Sequence, residues 1–377
     1  MSDSQTKKQI IQQHLSNKLL QAPILLPAQR STRDLSADQP TMQPDMAIIE
    51  RAVNALKQGK THYAEVPGIA PLREKLAGYL QEMGLTGYKQ ANILVTAGIQ
   101  EGRFLSIQKI GELSGSIGLP TVVHPGARKA AGVRSIKVMD LPVDVENGML
   151  PTAAGLRAAL EQGCKLLYIE SPVRLTGAVY DAAAVEAIAA LVETFDAAVI
   201  WDQGLSPWVE TDSYFSLGAQ PGMAERVAVL GEAWPGVGLE SWFIGYLGIN
   251  ENWMEGGGVR AQKQVMSICT STPSQYAALE AAERYAHGHR EQVKLLARHR
   301  QEALAIARNI GTRPLTGASV NLLALQMLDI QQAGITLQAA GFTIADGNDF
   351  GAPDVIRLTV TADNTVAQAL NQLVLDE

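Results

Sequence analysis

The chain has 377 residues, of which 46% are hydrophobic and 18% charged, and its formal net charge is −7. This composition excludes general disorder, and the length predicts one large domain with a smaller one. No basic run of five or six residues and no apolar run long enough for a bilayer are present, which argues against nucleic-acid and membrane partners. Because Cys164 and Cys269 are isolated, we expect a reducing, cytoplasmic location.

The predicted elements begin after an N-terminal arm, residues 1–45, which is rich in proline and polar residues. Apolar residues at helical spacing follow in two stretches, 46–58 and 71–84. From residue 92 onward short apolar runs alternate with helical stretches, the runs being NILVTAG (92–98), PTVVHP (120–125), RSIKVMD (134–140), KLLYIES (165–171), AAVIWD (197–202) and RVAVLG (226–231). Continuous apolar strands between helices are typical of a buried, mostly parallel sheet.

The last part of the chain has a different pattern. A long helical stretch covers roughly 273–310, and the apolar runs after it predict a smaller α+β domain. We therefore expect an α/β protein with a large domain over 46–285 and a small C-terminal domain over 286–377. The glycine-rich stretch 251–260 predicts a flexible surface loop, and the histidines of the long helix predict a solvated face: His287, His289 and His299.

Five segments, in order, resemble the class I/II aminotransferases, the fold-type-I pyridoxal-phosphate enzymes, over roughly residues 35–374. They are THYAEVPGIAPLREKLAGYL, ILVTAGIQEGRFLSI, YIESPVRLTG, AAVIWDQGL and DFGAPDVIRLTVTA. The resemblance implies an aminotransferase-like fold of type I. Its large domain would hold a mostly parallel, seven-stranded-type sheet flanked by helices, beside the small α+β domain. It also implies a homodimer.

The resemblance gives roles to residues that match the family. Gly98 and Gln100 would open a helix whose N-terminus binds the cofactor phosphate. Asp202 would hold the pyridine nitrogen, Tyr63 would reach the neighbouring subunit's phosphate, and Arg357 would bind the substrate's α-carboxylate. From the residues alone, plainer alternatives stay open: a strand-to-helix turn, a capping aspartate, a half-buried aromatic ring and a surface arginine.

The chain also departs from the family. Pro235 stands at the position of the Schiff-base lysine, and no lysine lies between Lys165 and Lys263, which is on a later helix. Other family positions in the cofactor site are matched by residues of different chemistry, namely Glu232, Phe243, Arg174, Leu205, Ala127 and Asp38. We therefore expect that no cofactor is bound in the family's manner, and we expect no metal site.

The function expected from these departures is a cofactor-independent enzyme acting on a small amino- or keto-acid-like molecule. Glu232 or Asp202 would be the catalytic group, and a small carboxylate-bearing molecule would be the ligand. The candidate ligand-binding residues are Arg357, Arg174, Tyr63, Gly98, Gln100, Asp38, Trp208 and Trp234. Two alternatives stay open: a non-catalytic partner of an active aminotransferase, and an unusual pyridoxal- or pyridoxamine-phosphate enzyme.

Overall fold

The computed structural model describes residues 33–40, 42, 45–210, 213–238, 242 and 244–374, without the side chains of residues 286 and 287. Most of the predicted N-terminal arm therefore lies outside the described residues. So do Phe243 and the side chain of His287. No helix within the described ranges is both long enough and apolar enough to span a bilayer.

The described residues form fourteen strands. In chain order these are β1 (Asp34–Leu35), β2 (Ile93–Ala97), β3 (Ser116–Pro120), β4 (Lys137–Leu141), β5 (Val143–Asp144), β6 (Leu150–Pro151), β7 (Leu166–Glu170), β8 (Ala198–Asp202), β9 (Val227–Glu232), β10 (Ile244–Gly248), β11 (Arg313–Pro314), β12 (Leu322–Gln326), β13 (Thr343–Asp346) and β14 (Val355–Thr359).

The same residues form ten α-helices. They are α1 (Met46–Lys57), α2 (Ala70–Glu82), α3 (Gly98–Ser114), α4 (Pro125–Val133), α5 (Ala153–Glu161), α6 (Ala182–Thr194), α7 (Val259–Ser267), α8 (Thr272–Asn309), α9 (Ile330–Ala339) and α10 (Thr365–Val374).

The large sheet has seven strands in the order β2-β10-β9-β8-β7-β3-β4. Only β10 runs antiparallel to its neighbours. All five residues of β7 are buried, which explains its uninterrupted apolar pattern. This architecture confirms the predicted α/β fold, and it brings the carboxyl ends of the parallel strands to one edge, where open sheets of this kind bind ligands.

The small sheet has five strands in the order β1-β13-β14-β12-β11. Its edge strand β1 comes from the segment predicted as an arm and pairs in parallel with β13. Two residues are too few for a period-2 pattern, so this strand was not predictable from its residues. The first strand of the small sheet thus precedes every strand of the large sheet in the sequence. The domain bounds 46–285 and 286–377 stay a prediction.

Three local predictions were wrong. Residues 122–123 are not in a strand, because β3 ends at Pro120 and α4 begins at Pro125. The glycine-rich stretch contains a π-helical turn, Asn252–Gly256, immediately before α7. The predicted solvated histidine face is also incorrect, since His289 and His299 are half-buried and hydrogen-bond the backbone oxygens of Pro207 and Thr361.

Candidate functional site

The candidate site lies where β7 and β8 end. Their last residues, Glu170 and Asp202, are register partners, and both are buried. The Oδ2 of Asp202 accepts hydrogen bonds from Arg103 Nη2 and Tyr168 Oη, both at 2.7 Å. Its Oδ1 accepts from Arg174 Nη2 at 2.9 Å and from the Gly204 amide at 3.1 Å. Each oxygen therefore already has two donors, which is the usual capacity of a carboxylate oxygen.

These donors keep Asp202 ionised. Burial alone would raise the pKa of this carboxyl, but the charges of Arg174 and Arg103 outweigh burial and hold the pKa well below its usual range. Arg103 comes from α3 and also donates from Nη1 to Gln100 Oε1 at 2.5 Å. The helix that begins at Gly98 therefore supplies the second cation of the site.

Arg174 lies at the centre of the site and is fully buried. Its Nη1 is 3.2 Å from Asp38 Oδ2 and 3.8 Å from Glu232 Oε1. The guanidinium packs against Gly204, where a Cβ would lie 2.1 Å from Arg174 Nη2. Only glycine at position 204 leaves room for this side chain. Arg174 thus joins Asp202, Asp38 and Glu232 into one ionic network.

The carboxylate of Asp38 is hydrogen-bonded to the guanidinium of Arg357. Arg357 Nη1 donates to Asp38 Oδ1 at 2.6 Å, and Nη2 donates to the Ser36 backbone oxygen at 2.6 Å. Arg357 is 1% exposed on the central strand β14, so the plain alternative of a surface arginine is wrong. Burial opposes ionisation of Asp38, but Arg357 and Arg174 overcome it and hold the pKa of Asp38 well below its usual range.

Two further titratable groups border the network. Burial, and then the charge of Asp202, raise the pKa of Glu170 to about 7. The carboxylate of Glu170 accepts from the amides of His124 at 2.9 Å and Arg174 at 3.0 Å. Burial, and then the charge of Arg103, lower the pKa of His124 to about 3. The imidazole is therefore neutral at physiological pH, with Nε2 3.8 Å from Asp38 Oδ2.

The Gln39 amide links the last predicted members of the site. Gln39 Nε2 donates to Glu232 Oε2 at 2.9 Å, and Trp208 Nε1 donates to Gln39 Oε1. Glu232 ends β9, and its side chain is 20% exposed. Trp234 and Pro235 follow in a buried turn, where Trp234 has φ +51° and packs 6.3 Å from the Tyr79 ring.

The start of α3 is held by close backbone contact with β10. Gly98 has φ +70°, a region that favours glycine, and the helix that it opens runs for seventeen residues. A Cβ on Gly245 would lie 2.6 Å from the carbonyl carbon of Gly98 and 2.7 Å from the amide nitrogen of Ile99. The predicted pair Gly98 and Gln100 therefore lies next to the network, because Gln100 is hydrogen-bonded to Arg103. The backbone amides at a helix N-terminus favour an anion.

Two residues considered from the sequence lie apart from the network. The side chain of Tyr63 is 79% exposed in this chain. Lys263 is fully buried, and its Nζ pairs with Glu101 Oε2 at 2.7 Å and with Ser267 and Thr270 hydroxyls at 3.3 Å. Its amine is therefore engaged. Within the described ranges, no three histidine, cysteine or carboxylate side chains are grouped closely enough to suggest a metal site.

Sequence reasoning missed four residues of the network: Arg103, Tyr168, Glu170 and His124. One signal was present for Arg103, because it interrupts the apolar face of a helix that follows a buried strand. A buried arginine needs a carboxylate partner, and Asp202 was the strand-end candidate. The other three carry no such signal, since Tyr168 and Glu170 are placed by the register of β7 and His124 by the turn before α4.

Three buried donors at the site have no hydrogen-bond partner within the described part of the chain. They are Ser171 Oγ, Arg174 Nε and Arg357 Nε. Buried donors are normally satisfied, because an unmade hydrogen bond costs about 1–3 kcal/mol. Two of the three belong to guanidinium groups, so the site retains unused capacity for an anion.

Known proteins share this architecture. The family model described as "Aminotransferase class I and II" matches residues 33–373. An aspartate/prephenate aminotransferase of Thermus thermophilus is 29% identical over 355 residues, covering 90% of this chain and 89% of that protein. A solved aspartate aminotransferase mutant of Thermus thermophilus superposes with a TM-score of 0.83 at 23% identity, over 92% of this chain and 97% of that one. An aromatic aminotransferase of Pyrococcus horikoshii gives a TM-score of 0.83 at 22% identity, over 92% and 96%.

These comparisons overturn two expectations from the sequence. The matched relatives are named as aminotransferases, and the matching family is one of pyridoxal-phosphate enzymes. The expected cofactor-independent function is therefore wrong, and so is the expectation that no cofactor is bound. Both followed from counting substituted positions in the site, whereas the match extends over nine tenths of the chain. Pyridoxal phosphate is the cofactor to which the comparisons point.

Proposed function

Because this chain belongs to the class I and II aminotransferase family, we propose that it binds a phosphorylated pyridoxal-type cofactor non-covalently and acts on the amino group of a small amino acid. One observation carries this proposal. Asp202 is fully buried and ionised at the carboxyl end of β8, the place where the family holds the ring nitrogen of its cofactor. A carboxylate there would stabilise a protonated nitrogen.

Other residues fit the same group. The first amides of α3 have no partners within the helix, and they lie beside Arg103, so they suit a phosphate. The unpartnered Ser171 Oγ and Arg174 Nε add donors for an anionic ligand. Together with Asp202, these groups come from three segments, the start of α3, the turn after β7 and the end of β8, which meet at the sheet edge.

The cofactor's covalent anchor is the part that does not fit. Residues 166–262 contain no lysine, Pro235 is buried, and the amine of Lys263 is already paired with Glu101. We therefore propose a non-covalent hold. Pyridoxal phosphate, an aldehyde, would be the form that takes a small amino acid, and pyridoxamine phosphate, an amine, would be the form that takes the matching keto acid. Each oxygen of Asp202 already accepts two hydrogen bonds, so Arg174 must leave Oδ1 before a ring nitrogen can donate there.

The chemistry supplied by the cofactor is delocalisation of the electron pair left at the α carbon of the amino acid. Asp202 would hold the ring nitrogen protonated, and Arg357 would bind the substrate carboxylate through its guanidinium. Glu232 would move the proton, because it is the carboxylate of the network that is both partly exposed and bound to a neutral amide donor, Gln39. Asp202 is excluded from proton transfer by its low pKa.

The proposal is tested by titrating the purified chain with pyridoxamine phosphate and pyridoxal phosphate, followed by absorbance and native mass spectrometry. We expect saturable binding that dialysis reverses, and no borohydride-fixed cofactor in residues 228–247. Asp202→Asn should weaken binding at least tenfold, whereas the exposed control Asp196→Asn should not. Absence of saturable binding by a folded chain, or a stoichiometric covalent adduct in 228–247, would contradict the proposal.

We also infer that the chain forms a homodimer. Three exposed apolar side chains of α1 lie at spacings of seven and three residues and share one side of the helix: Met46 (62%), Val53 (40%) and Leu56 (49%). Tyr63 and Val265 are still more exposed, at 79% and 90%. Exposed apolar residues on one side of a helix favour association, which supports a homodimer.

A further inference from the structure

We propose that Asp38 is an internal substitute for the carboxylate of the ligand, so that a carboxylate ligand binds to Arg357 and Arg174 only by displacing Asp38. The proposal rests on the proposed function only for the class of ligand, a small amino or keto acid. It adds a built-in competitor, on the same chain, that sets the affinity of the site.

The first support is the geometry of the contact. The two oxygens of Asp38 are divided between two guanidinium groups, with Oδ1 at 2.6 Å from Arg357 Nη1 and Oδ2 at 3.2 Å from Arg174 Nη1. A free carboxylate placed between the two arginines would make the same pair of contacts. Asp38 thus occupies the position that a ligand's carboxylate needs.

The second support is the difference in exposure. The side chain of Asp38 is 23% exposed, whereas those of Arg357 and Arg174 are 2% and 0% exposed. The carboxylate therefore lies at the mouth of the site, and the guanidinium groups lie beneath it. Rotation of the Asp38 side chain toward solvent uncovers both cations without opening the core.

The third support is the firm attachment of the backbone that carries Asp38. Asn321 Nδ2 donates to the Asp38 carbonyl at 2.8 Å, and Thr359 Oγ1 donates to the Ala37 carbonyl. Arg357 Nη2 binds the Ser36 carbonyl at 2.6 Å. The backbone of residues 36–38 is held by the small domain, so the part that can move away from the two arginines is the side chain of Asp38.

The fourth support is the balance of charge. When Asp38 turns away, three guanidinium groups, of Arg103, Arg174 and Arg357, face two carboxylates, of Asp202 and Glu232. Burial raises the pKa of Glu170, the third carboxyl nearby, to about 7, so this group is mostly protonated below that pH. The uncovered site then carries one excess positive charge, and one carboxylate group restores neutrality.

The experiment measures binding of succinate to the full chain by calorimetry, with succinamide as the uncharged probe. The variants are Asp38→Asn, which keeps the shape but removes the charge, and Asp38→Glu, which keeps the charge. Asp196→Asn, at an exposed ion pair with Arg226, is the matched control. We expect Asp38→Asn to bind succinate at least tenfold more tightly than the wild type, because the internal competitor is gone. The affinities of Asp38→Glu and of the control for succinate should stay within about threefold of the wild-type affinity.

Loss of Asp38 leaves buried cations unpaired, so Asp38→Asn should melt at a lower temperature than the wild type. Succinate should then raise the melting temperature of Asp38→Asn more than that of the wild type, and succinamide should raise neither. Equal or weaker succinate binding by folded Asp38→Asn would overturn the inference. Cofactor titration of the same variants separates the two proposals. Tighter succinate binding without cofactor binding sinks the proposed function alone, and the converse sinks this inference alone.

Discussion

Glu170 and Asp202 are register partners at the ends of neighbouring parallel strands, yet their pKa values are shifted in opposite directions. Asp202 faces two guanidinium groups, which keep it charged. Glu170 is buried beside the negative charge of Asp202, and in the described structure its oxygens accept from the backbone amides of His124 and Arg174. Two carboxyls whose surroundings separate their pKa values in this way are typical of acid–base sites.

The first prediction concerns the pH dependence of stability. Burial, and then the charge of Asp202, raise the pKa of Glu170 from its ordinary 4.5 to about 7 in the folded chain. Between these values the folded chain holds more protons, so the contribution of Glu170 to stability is full below about pH 4.5 and falls as pH rises to about 7. His124 acts in the opposite direction, since its folded pKa of about 3 lies below its ordinary 6.5.

Stability therefore depends on pH through Glu170 and His124 in opposite directions, and Glu170→Gln removes the contribution of Glu170. Relative to the wild type, the free energy of unfolding of the variant should therefore rise by about 1.4 kcal/mol per pH unit between pH 5 and about 6.5. Urea denaturation at four pH values in that window measures the difference. Glu186→Gln on α6 is the control for loss of a carboxylate. A constant difference between Glu170→Gln and the wild type would show that Glu170 is already ionised at pH 5.

The second prediction separates a buried ion pair from an exposed one. Arg103→Met removes a guanidinium that is 1% exposed and leaves Asp202 and Tyr168 without its hydrogen bonds. We expect the free energy of unfolding to fall by about 3–5 kcal/mol, because an uncompensated charge stays buried. Arg226→Met breaks the exposed pair with Asp196 and should cost less than about 1 kcal/mol. Equal losses in the two variants, measured in urea, would contradict a buried network.

How far the sequence predicted the molecule can be judged from particular residues. The strand ending at Asp202 was predictable because a buried parallel strand is a continuous apolar run. The burial of Arg357 was not, because the pattern of one strand does not reveal that β14 lies in the middle of a sheet with β13 and β12 on either side. The pairing of Asp38 with Arg357 joins residues 319 positions apart, which no local pattern encodes.

The cofactor prediction failed for a different reason. Along the chain, Pro235, Glu232 and Arg174 stand as three separate departures from the family. The structure shows that Arg174, Glu232 and Asp38 are neighbours in one ionic network. A coupled rearrangement of charges can preserve a binding site that separate losses would destroy. Single positions read along a chain do not reveal such coupling.

The third prediction concerns assembly. Leu56 is 49% exposed on the apolar side of α1, while Ile48, Ala52 and Ala55 of the same helix are buried. Leu56→Asp should therefore leave the fold intact but weaken the homodimer, because a charge would be buried at the interface. Light scattering at micromolar concentration should give a dimer for the wild type and a larger monomer fraction for the variant. Lys57→Asp, a neighbouring change on the same helix, controls for added negative charge, and a monomeric wild type would refute the assignment.

The fourth prediction tests the contact that positions α3. In Gly245→Ala the new Cβ would lie 2.6 Å from the Gly98 carbonyl carbon and 2.7 Å from the Ile99 nitrogen, both of which are backbone atoms. Because backbone cannot move aside as a flexible side chain does, the helix must shift, and overpacking of this kind costs about 1–3 kcal/mol. The control is Gly78→Ala in α2, where a Cβ meets nothing within 4 Å. Alanine there should stabilise the chain by about 0.5–1 kcal/mol. Urea denaturation should therefore give opposite signs for the two glycine substitutions. If Gly245→Ala is neutral, β10 does not hold the start of α3, and the amides of that helix are not fixed for an anion.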